Sequence, residues 1–313
     1  MSIEEITILF ETSELMNLVG IFFIFNISLI VIEIIFDLAK RKGRNWKDTL
    51  SNIAIYFLGQ VTEKILLSSL GLIALLPIYY FIPYNIPMTW WTWAIGLLAA
   101  DFTYYWMHRL EHEHRILWAS HSVHHSSEEY NLSISFRLSI IEGLFEWIFL
   151  IPMIIAGFNP FQAIMCLIFV VQYQTWIHTE KIYKLGWLDE IFNTPSVHRV
   201  HHGSNRKYLD KNYGGVLMIW DKIFGTFRRE DEKVIYGLTE NINTNSQPGI
   251  VKQFDELFVE TKKIDLGTPF SDVIYQIKVC PPSKDFANNY INAAERFLEN
   301  VRTFRETQIA VKC

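Results

Sequence analysis

The chain has 313 residues, half of which are apolar and 15% aromatic, whereas only 19% are charged. Soluble proteins usually carry about 25% charged residues, so this balance indicates a membrane protein. The formal net charge of −5 argues against a nucleic-acid partner, because such a partner requires a basic protein face. The three cysteines lie far apart and form no CxxC pattern, which argues against a disulfide framework or a zinc ribbon.

Five apolar stretches follow one another in the first part of the chain, and a helix needs roughly 20 such residues to cross a bilayer. They lie at 17–39, 52–82, 90–107, 139–158 and 161–177. The first is interrupted by Asn26, Glu33 and Asp37, and only an Asn-Pro turn separates the last two. We therefore expect an all-α integral membrane protein with four or five transmembrane helices.

The distribution of basic residues predicts how these helices are oriented. Segment 40–47 carries five Lys or Arg residues just after the first stretch, whereas the N-terminal tail carries four glutamates. The positive-inside rule then places 40–47 in the cytoplasm. Counting the spans forward brings His108 and His178 to the same side. The sequence thus predicts a multi-pass protein of a bacterial inner membrane or the endoplasmic reticulum, with a cytoplasmic helical cap.

All ten histidines fall between positions 108 and 202. The motif HRLEH puts His108 and His112 four residues apart, on one face of a helix that continues the third apolar stretch. The motifs HSVHH and HRVHH then repeat the i, i+3, i+4 spacing that aligns imidazoles along a helix. They supply His121, His124, His125, His198, His201 and His202.

The helix that carries the second HxxHH motif has recognisable ends. Thr194 suits the N-cap, Pro195 the first turn and Gly203 the stop. His178, at the end of the last apolar stretch, is a ninth candidate ligand. His114 lies two residues beyond the HRLEH motif, on another helical face, and is left out of the set.

These histidines indicate a metal centre. A single histidine at a membrane edge is more often a polar cap than a ligand, but adjacent buried imidazoles without a cation lose hydration and gain little. Eight or nine imidazoles exceed the coordination sphere of one ion, so we expect two ions. Imidazole suits Zn, Cu, Fe and Ni alike. A membrane-edge pocket beside apolar helices fits a lipid substrate and dioxygen chemistry, which requires iron, and the HExxH motif of zinc proteases is absent.

Three carboxylates are candidates for supporting this site. Asp101 lies seven residues before His108 and shares its helical face, where it could accept an imidazole N–H. Glu142 and Glu146 form an i, i+4 pair within an apolar stretch, where ionisable side chains usually face the protein interior. A role as polar contacts between helices is as plausible for this pair as a role in catalysis.

The order HxxxH, HxxHH, HxxHH resembles the fatty acid hydroxylase/sterol desaturase superfamily of membrane di-iron oxygenases. The runs ILWASHSVHHSSEEYNLS, WIHTE, NTPSVHRVHHG and YLDKNYGGVLMIWDKIFGTF most resemble its alkylglycerol monooxygenase branch. The resemblance covers about residues 90–240, although many relatives have histidine where this chain has Val197. By position, it makes nine residues iron ligands: His108, His112, His121, His124, His125, His178, His198, His201 and His202.

The resemblance also implies an activity, namely O2-dependent hydroxylation or desaturation of a membrane lipid by a di-iron monooxygenase. Its substrate would be an alkyl ether lipid, a fatty acyl chain or a sterol-like molecule. No flavin, nicotinamide or haem motif is present, so electrons must come from tetrahydrobiopterin or a redox partner protein. A histidine-rich membrane metal transporter or sensor is the alternative, but transport sites lie near the bilayer midplane, whereas these histidines cluster at the ends of the spans.

Three regions follow from these patterns. Residues 1–89 are expected to form N-terminal membrane helices, and 90–228 a catalytic core like that of the fatty acid hydroxylases. Residues 229–313 are expected to form a cytoplasmic C-terminal region, in which 241–249 resembles a linker and the final segment an amphipathic helix.

Overall fold

A computed structural model gives the architecture of the parts of the chain that position the histidines. It describes residues 13–41, 43–62, 68–139 and 143–239. Within these ranges the regular structure is helical, apart from one isolated antiparallel bridge between Phe192 and Leu217. The all-α prediction is confirmed for the described residues, whereas the predicted linker and C-terminal amphipathic helix lie outside them.

The N-terminal helices precede the histidine-rich segment. They are α1 (Ser13–Ala39), α2 (Trp46–Thr62) and α3 (Ser68–Phe81). Within the apolar stretch 52–82, the structure describes α2 up to Thr62 and α3 from Ser68. Asn26 on α1 donates a side-chain hydrogen bond to Gln172, which lies on the later helix over residues 160–173.

The helices that carry or support the histidines follow in chain order. They are α4 (Trp90–Glu113), α5 (Arg115–His125), α6 (Gly143–Phe149), α7 (Ile151–Ile155), α8 (Pro160–Tyr173), α9 (Pro195–His201) and α10 (Ile219–Phe224). Short 3₁₀ turns lie between them at Leu132–Phe136, Gln174–Ile177 and Gly186–Glu190.

Two helical segments are long and apolar enough to cross a membrane, among the residues that the structure describes. They are Gly20–Ala39, within α1, and Pro160–Ile177, which comprises α8 and the turn after it. The apolar stretch 139–158, predicted as a single span, is divided into α6 and α7. Pro152 accounts for the break, because a proline inside a helix removes a hydrogen bond and clashes with the preceding turn. The number of spans, four or five, stays a prediction.

The main core lies between α3, α4, α7 and α8. Leu75, Ala100, Ile154 and Cys166 are completely buried there. Helices α4 and α8 approach so closely that a Cβ at Gly96 would lie 3.1 Å from the Cys166 sulfur. This packing brings the C-terminal end of α4, with its two histidines, beside the end of α8 that leads to His178.

Helix α10 packs on α4. Trp220 lies against Phe102, with ring centroids 5.0 Å apart, and Phe224 stacks on Tyr105 at 5.2 Å. The helix ends at Phe224 because Gly225 adopts the left-handed conformation, with φ of 74°, that commonly ends helices. Segment 213–217, which precedes α10, is thereby held against the histidine-bearing end of α4.

Candidate metal centre

The HRLEH motif lies at the C-terminal end of α4. His108 and His112 are both buried on this helix. His114 has an extended conformation and forms the break at which α4 ends and α5 begins. Helix α5 carries the HSVHH motif, with its three histidines also buried. His114 is only partly buried and belongs to neither cluster, in agreement with its exclusion.

Helix α9 carries the HRVHH motif and begins where the sequence predicted. Thr194 is its N-cap with an extended backbone, Pro195 occupies the first turn, and His202 is the C-cap, directly before Gly203. His178 follows the 3₁₀ turn Gln174–Ile177 instead of lying on a regular helix. Four separate segments therefore contribute imidazoles to one region.

The structure brings all nine predicted histidines together and sorts them into two groups. In each group one candidate ligand atom from every side chain lies within 4.8 Å of the others. The first histidine group is His108, His112, His121, His125 and His201. The second histidine group is His124, His178, His198 and His202. His124 and His125 are neighbours in sequence but point to different groups, because consecutive residues of a helix project in different directions.

Short distances between Nε2 atoms fit shared metal ions. In the second group, Nε2 of His178 lies 3.1 Å from that of His124 and 2.9 Å from that of His198, which is 3.2 Å from that of His202. In the first group, the Nε2 atoms of His108 and His121 are 3.1 Å apart. A metal–imidazole bond of about 2.1 Å would place two ligands at right angles about 3.0 Å from each other. The donor spacing is therefore that of a coordination sphere.

Several ring nitrogens in these groups are buried without a hydrogen-bond partner. They are Nε2 of His112, His125 and His201 and Nδ1 of His124. A buried polar atom left without a partner costs about 1–3 kcal/mol. The three Nε2 atoms belong to the first histidine group, where together they would be a large penalty unless a bound cation satisfied them. The donor set thus fits two metal ions.

Burial keeps these imidazoles neutral. Desolvation lowers the pKa of His121 to about 3 and that of His178 to about 4. The pKa values of the other seven are lowered well below the usual value, first by burial and then by repulsion from neighbouring imidazoles. Metal ligation requires neutral imidazole, so the site holds its donors in the ligating form at neutral pH.

Backbone oxygens orient three of the rings. The Nδ1 of His108 contacts the carbonyl oxygen of Tyr213 at 3.0 Å, and that of His201 contacts Lys211 O at 3.0 Å. In the second group, the Nδ1 of His178 contacts Gln174 O at 2.7 Å. A carbonyl can only accept, so Nδ1 carries the proton in these rings and Nε2 is free to bind a metal.

Two carboxylates that sequence reasoning missed face the first histidine group. A Glu111 oxygen lies 3.5 Å from Nδ1 of His121, and an Asp210 oxygen 3.8 Å from Nδ1 of His112. Carboxylates behind metal-binding imidazoles fix the ring and raise its basicity. Glu111 could have been found, since it lies three residues after His108 on the same helix. Asp210 has no such signal, because a loop brings it to the site from about a hundred residues away in the chain.

The NYGG…WD run, residues 212–221, folds back on itself through the Asp221 side chain and supports the metal centre; we call this segment the latch. The Asp221 carboxylate accepts hydrogen bonds from the backbone N–H groups of Tyr213 and Gly214 at 2.8 and 2.7 Å. Gly215 packs so tightly that a Cβ there would lie 2.5 Å from a Val170 methyl carbon. This arrangement holds the carbonyl oxygen that orients His108.

The three carboxylates that the sequence suggested as support for the site differ in where the structure places them. Asp101 accepts hydrogen bonds from Val216 N, Leu217 N and Trp220 Nε1 at 2.7, 3.1 and 2.9 Å. Its expected contact with an imidazole is therefore wrong, because segment 216–220 occupies both oxygens. Glu146 lies partly buried on α6 and belongs to neither histidine group. Glu142 falls outside the described residues.

Comparison with known proteins agrees with this geometry. Residues 93–226 match the family model for fatty acid hydroxylases. The human alkylglycerol monooxygenase is 53% identical over 177 residues, covering 56% of this chain and 38% of the relative. The Danio rerio alkylglycerol monooxygenase is 42% identical over 223 residues, covering 70% of this chain and 49% of the relative.

A bacterial relative has a different name. The ornithine lipid hydroxylase OlsE of Rhizobium tropici is 35% identical over 150 residues, covering 47% of this chain and 45% of the relative. The chain thus spans less than half the length of each of these three relatives. No solved structure matches the chain significantly. The match of residues 93–226 to the fatty acid hydroxylase family model and the similarity to these relatives confirm the resemblance drawn from the histidine motifs.

Proposed function

We propose that this protein is an O2-dependent monooxygenase that hydroxylates a membrane lipid with two iron ions held by the two histidine groups. The observation that carries the proposal is that nine buried imidazoles form two adjoining groups, in each of which the ring nitrogens are close enough together to bind one metal ion. The match of residues 93–226 to the fatty acid hydroxylases supports it independently.

The bound irons would supply the oxidising power to insert one atom of dioxygen into an unactivated C–H bond. The nine imidazoles would hold the ions, and in His108, His178 and His201 the Nε2 atom is free to do so because Nδ1 donates to a backbone oxygen. Tyr213, Lys211 and Gln174 orient three of the rings through backbone carbonyl groups. Glu111 and Asp210 support two more from the side opposite the metal. The protein thereby sets ligand direction before any metal binds.

Buried apolar side chains around the histidines exclude water. Val123, Ile177 and Val200 are at most 1% exposed and lie next to ligands in the sequence. Tyr130 is also buried, and its ring lies 5.2 Å from that of His202. A dry surrounding limits side reactions of a strong oxidant with solvent.

A lipid is the substrate that best fits this position. Helices α4 and α8 lead from apolar, span-like segments to the histidine groups. The relatives are named for alkylglycerol and ornithine lipid, and a sterol desaturase of Aspergillus fumigatus is 25% identical over 181 residues. We propose an alkyl ether lipid as the first candidate, with fatty acyl and sterol-like lipids as further classes. Hydroxylation beside an ether oxygen would give a hemiacetal that releases an aldehyde.

The reaction also needs two electrons for each turnover. We propose tetrahydrobiopterin or a redox partner protein as the donor, since the resemblance to the alkylglycerol monooxygenase branch suggests the first and the sequence carries no flavin, nicotinamide or haem motif.

We propose that the protein crosses a bacterial inner membrane or the endoplasmic reticulum membrane several times, with its histidine groups facing the cytoplasm. We keep the proposed regions 1–89, 90–228 and 229–313. Single cysteines at Lys47 and Arg206, with Cys280 and Cys313 replaced by serine, should react from the same side of sealed vesicles. Labelling from opposite sides would contradict the proposed topology.

No structural observation favours a metal transporter. The histidines are buried at the end of α4 and beyond α8, whereas transport sites lie near the bilayer midplane.

The decisive experiment is oxygen incorporation by the purified protein. Iron-loaded protein in detergent would be given 18O2, a reductant and one of three substrates, namely an alkylglycerol, a fatty acid or a sterol. Mass spectrometry should find the label in the product of one class, and the His125→Ala and His202→Ala variants should give none. Stoichiometric iron binding without lipid-dependent 18O incorporation from any class would contradict the proposed activity.

A further inference from the structure

A buried ionic cluster joins the C-terminal end of α1 to the histidine-bearing part of the molecule. Glu33 and Asp37, which interrupt the apolar sequence of α1, are only 3% and 7% exposed. Arg44 lies 3.5 Å from Glu33 and 2.9 Å from Asp37. Lys181 lies 3.3 Å from Glu33 and 2.9 Å from Asp37. Two carboxylates thus face two cations from segments that are far apart in the sequence.

Such a cluster is costly for a helix that could cross a membrane. Removing charges from water costs several kcal/mol for each ion, and apolar residues often replace buried ion pairs without loss of stability. Ionisable residues within apolar spans more commonly serve a function. Stability alone therefore does not account for Glu33 and Asp37, and their contacts indicate what they fix.

Glu33 has contacts that Asp37 lacks. One Glu33 oxygen accepts a hydrogen bond from the Thr179 hydroxyl at 2.8 Å, and the other accepts one from Leu132 N at 2.9 Å. Thr179 directly follows His178, and Leu132 begins the 3₁₀ turn after α5. The hydrogen bonds and ion pairs of Asp37, by contrast, are with Arg44 and Lys181.

Thr179 is also held from the other side. Its carbonyl oxygen accepts a hydrogen bond from the Arg199 guanidinium at 2.9 Å. Arg199 lies on α9, next to His198, and pairs with Glu230 at 2.8 Å. A chain of contacts therefore runs from α1 through the turn of His178 to the helix that supplies two ligands of the second histidine group.

His178 is the ligand most dependent on such support. It follows a four-residue 3₁₀ turn, whereas His124 and His198 lie on α-helices. Its Nε2 lies 2.9 Å from that of His198 and 3.1 Å from that of His124, so it stands between these two ligands. A shift of this turn would separate the donor atoms of the second group.

We propose that Glu33 is a positioning residue for the metal of the second histidine group, acting through Thr179 on His178. The inference rests on the proposed function, because it requires that the group bind metal. It assigns to α1 the task of completing the centre in addition to anchoring the protein. The first histidine group has no contact with Glu33 or Thr179 among the described residues.

Cobalt(II) is a suitable probe, since its visible absorption bands report imidazole ligation without any catalytic turnover. Metal-free protein in detergent would be titrated anaerobically, and two binding steps are expected. The His125→Ala and His124→Ala variants assign the steps to the first and second groups. Glu33→Gln should weaken only the step of the second group, by about 10–100-fold, as expected for the loss of a residue that orients a ligand.

Matched variants separate positioning from general damage. Asp37→Asn removes one negative charge from the same cluster but no contact with Thr179, so both cobalt steps should remain within threefold of the unmodified protein, on the order of the variation expected away from a ligand. Thr179→Val should reproduce the effect of Glu33→Gln, and Thr179→Ser, which keeps the hydroxyl, should restore binding.

The inference fails if Glu33→Gln and Thr179→Val both bind cobalt normally in both steps. It also fails if these variants weaken both steps equally, which would indicate a general structural role. The proposed metal centre itself is tested separately, because two unchanged cobalt steps in His124→Ala would contradict it whatever the Glu33 variants do.

Discussion

The two histidine groups lie side by side, yet different partners stand behind their rings. In the first group, Glu111 and Asp210 carboxylates lie 3.5 and 3.8 Å from Nδ1 atoms of two ligands. In the second, His178 contacts a backbone oxygen and His198 an amide nitrogen of Asn193 at 3.4 Å. A nearby carboxylate makes an imidazole a stronger ligand. We therefore expect the first group to hold its metal more tightly.

The groups also differ in the segments that supply them. The first group takes its ligands from the regular helices α4, α5 and α9. The second includes His178, from a 3₁₀ turn that tertiary contacts fix in place. The ligands of the first group therefore all lie on helices, whereas the second includes one ligand whose turn is held by a hydrogen bond from Thr179 to Glu33 on α1. This difference predicts unequal responses to substitution.

Removing one ligand from each group should have the largest effect. His201→Ala and His124→Ala should each abolish lipid hydroxylation and lower bound iron, because each leaves an incomplete coordination sphere. Metal analysis and the 18O2 assay on protein still inserted in the membrane would measure both losses. His114→Ala, a matched control beyond both groups, should bind and react normally. Full activity in either ligand variant would remove that residue from the site.

Substitution of the carboxylates should affect only the first group. Glu111→Gln and Asp210→Asn keep the side-chain shape but remove the charge, and each should weaken metal binding by about 10–100-fold. The cobalt titration should show this in the first group's step alone. Glu232→Gln, at an exposed site paired with Lys207, is the control. Equal weakening of both steps would mean that the carboxylates stabilise the whole centre.

Acid should release the metals from both groups steeply. Burial lowers the pKa of His121 to about 3 and that of His178 to about 4, whereas imidazole in an unfolded chain titrates near about 6.5. As pH falls below the pKa of free imidazole, the unfolded chain binds protons that the buried histidines of the folded protein do not bind. The free energy of unfolding therefore decreases progressively as the pH approaches the pKa values of the folded protein. Several histidines titrate together, so metal loss should be steeper than for one group.

Residual iron after dialysis across a pH series, without reductant, measures this release. Loss should begin below the pKa of free imidazole, because bound metal competes with protons. Because its ligands are supported by carboxylates, the first group should release its metal at lower pH. Iron that stays fully bound well below about pH 4 would mean that the histidines are not the main ligands.

Much of the centre could be predicted from the sequence, because histidine spacing on helices is a local property. The repeated HxxHH motifs and the HRLEH motif identified eight of the nine histidines that the structure brings together, and the ninth, His178, was found from its place at the end of the last apolar stretch. Their sorting into two groups could not be predicted, since it depends on how α5 faces α9. His124 and His125 point to different groups although they are adjacent.

The presence of helices could be predicted from the sequence, whereas the positions at which the helices are interrupted could be predicted less well. The ends of α9 agree with the sequence signals, whereas the stretch 139–158 divides at Leu150, just before Pro152. Asp101 shows the limit of helical spacing. The sequence placed it on the face of His108, but segment 216–220, more than a hundred residues later, occupies its carboxylate.

This anchoring role of Asp101 leads to the smallest expected effect. Trp220→Phe removes one of the three hydrogen bonds to the carboxylate and keeps an aromatic ring against Phe102. Two backbone donors still satisfy the carboxylate, so the free energy of unfolding should fall by only about 1–2 kcal/mol. Neither histidine group should lose metal, because the latch at Asp221 and the carbonyl of Tyr213 are unchanged.

Chemical unfolding in detergent micelles and iron analysis of the same samples would test both expectations. Trp187→Phe is the matched control, because Trp187 is 69% exposed and its replacement should change neither quantity. A stability loss without iron loss would support Asp101 as an anchor for segment 216–220. Iron loss at unchanged stability would instead link Asp101 to the metals and contradict a role as an anchor alone.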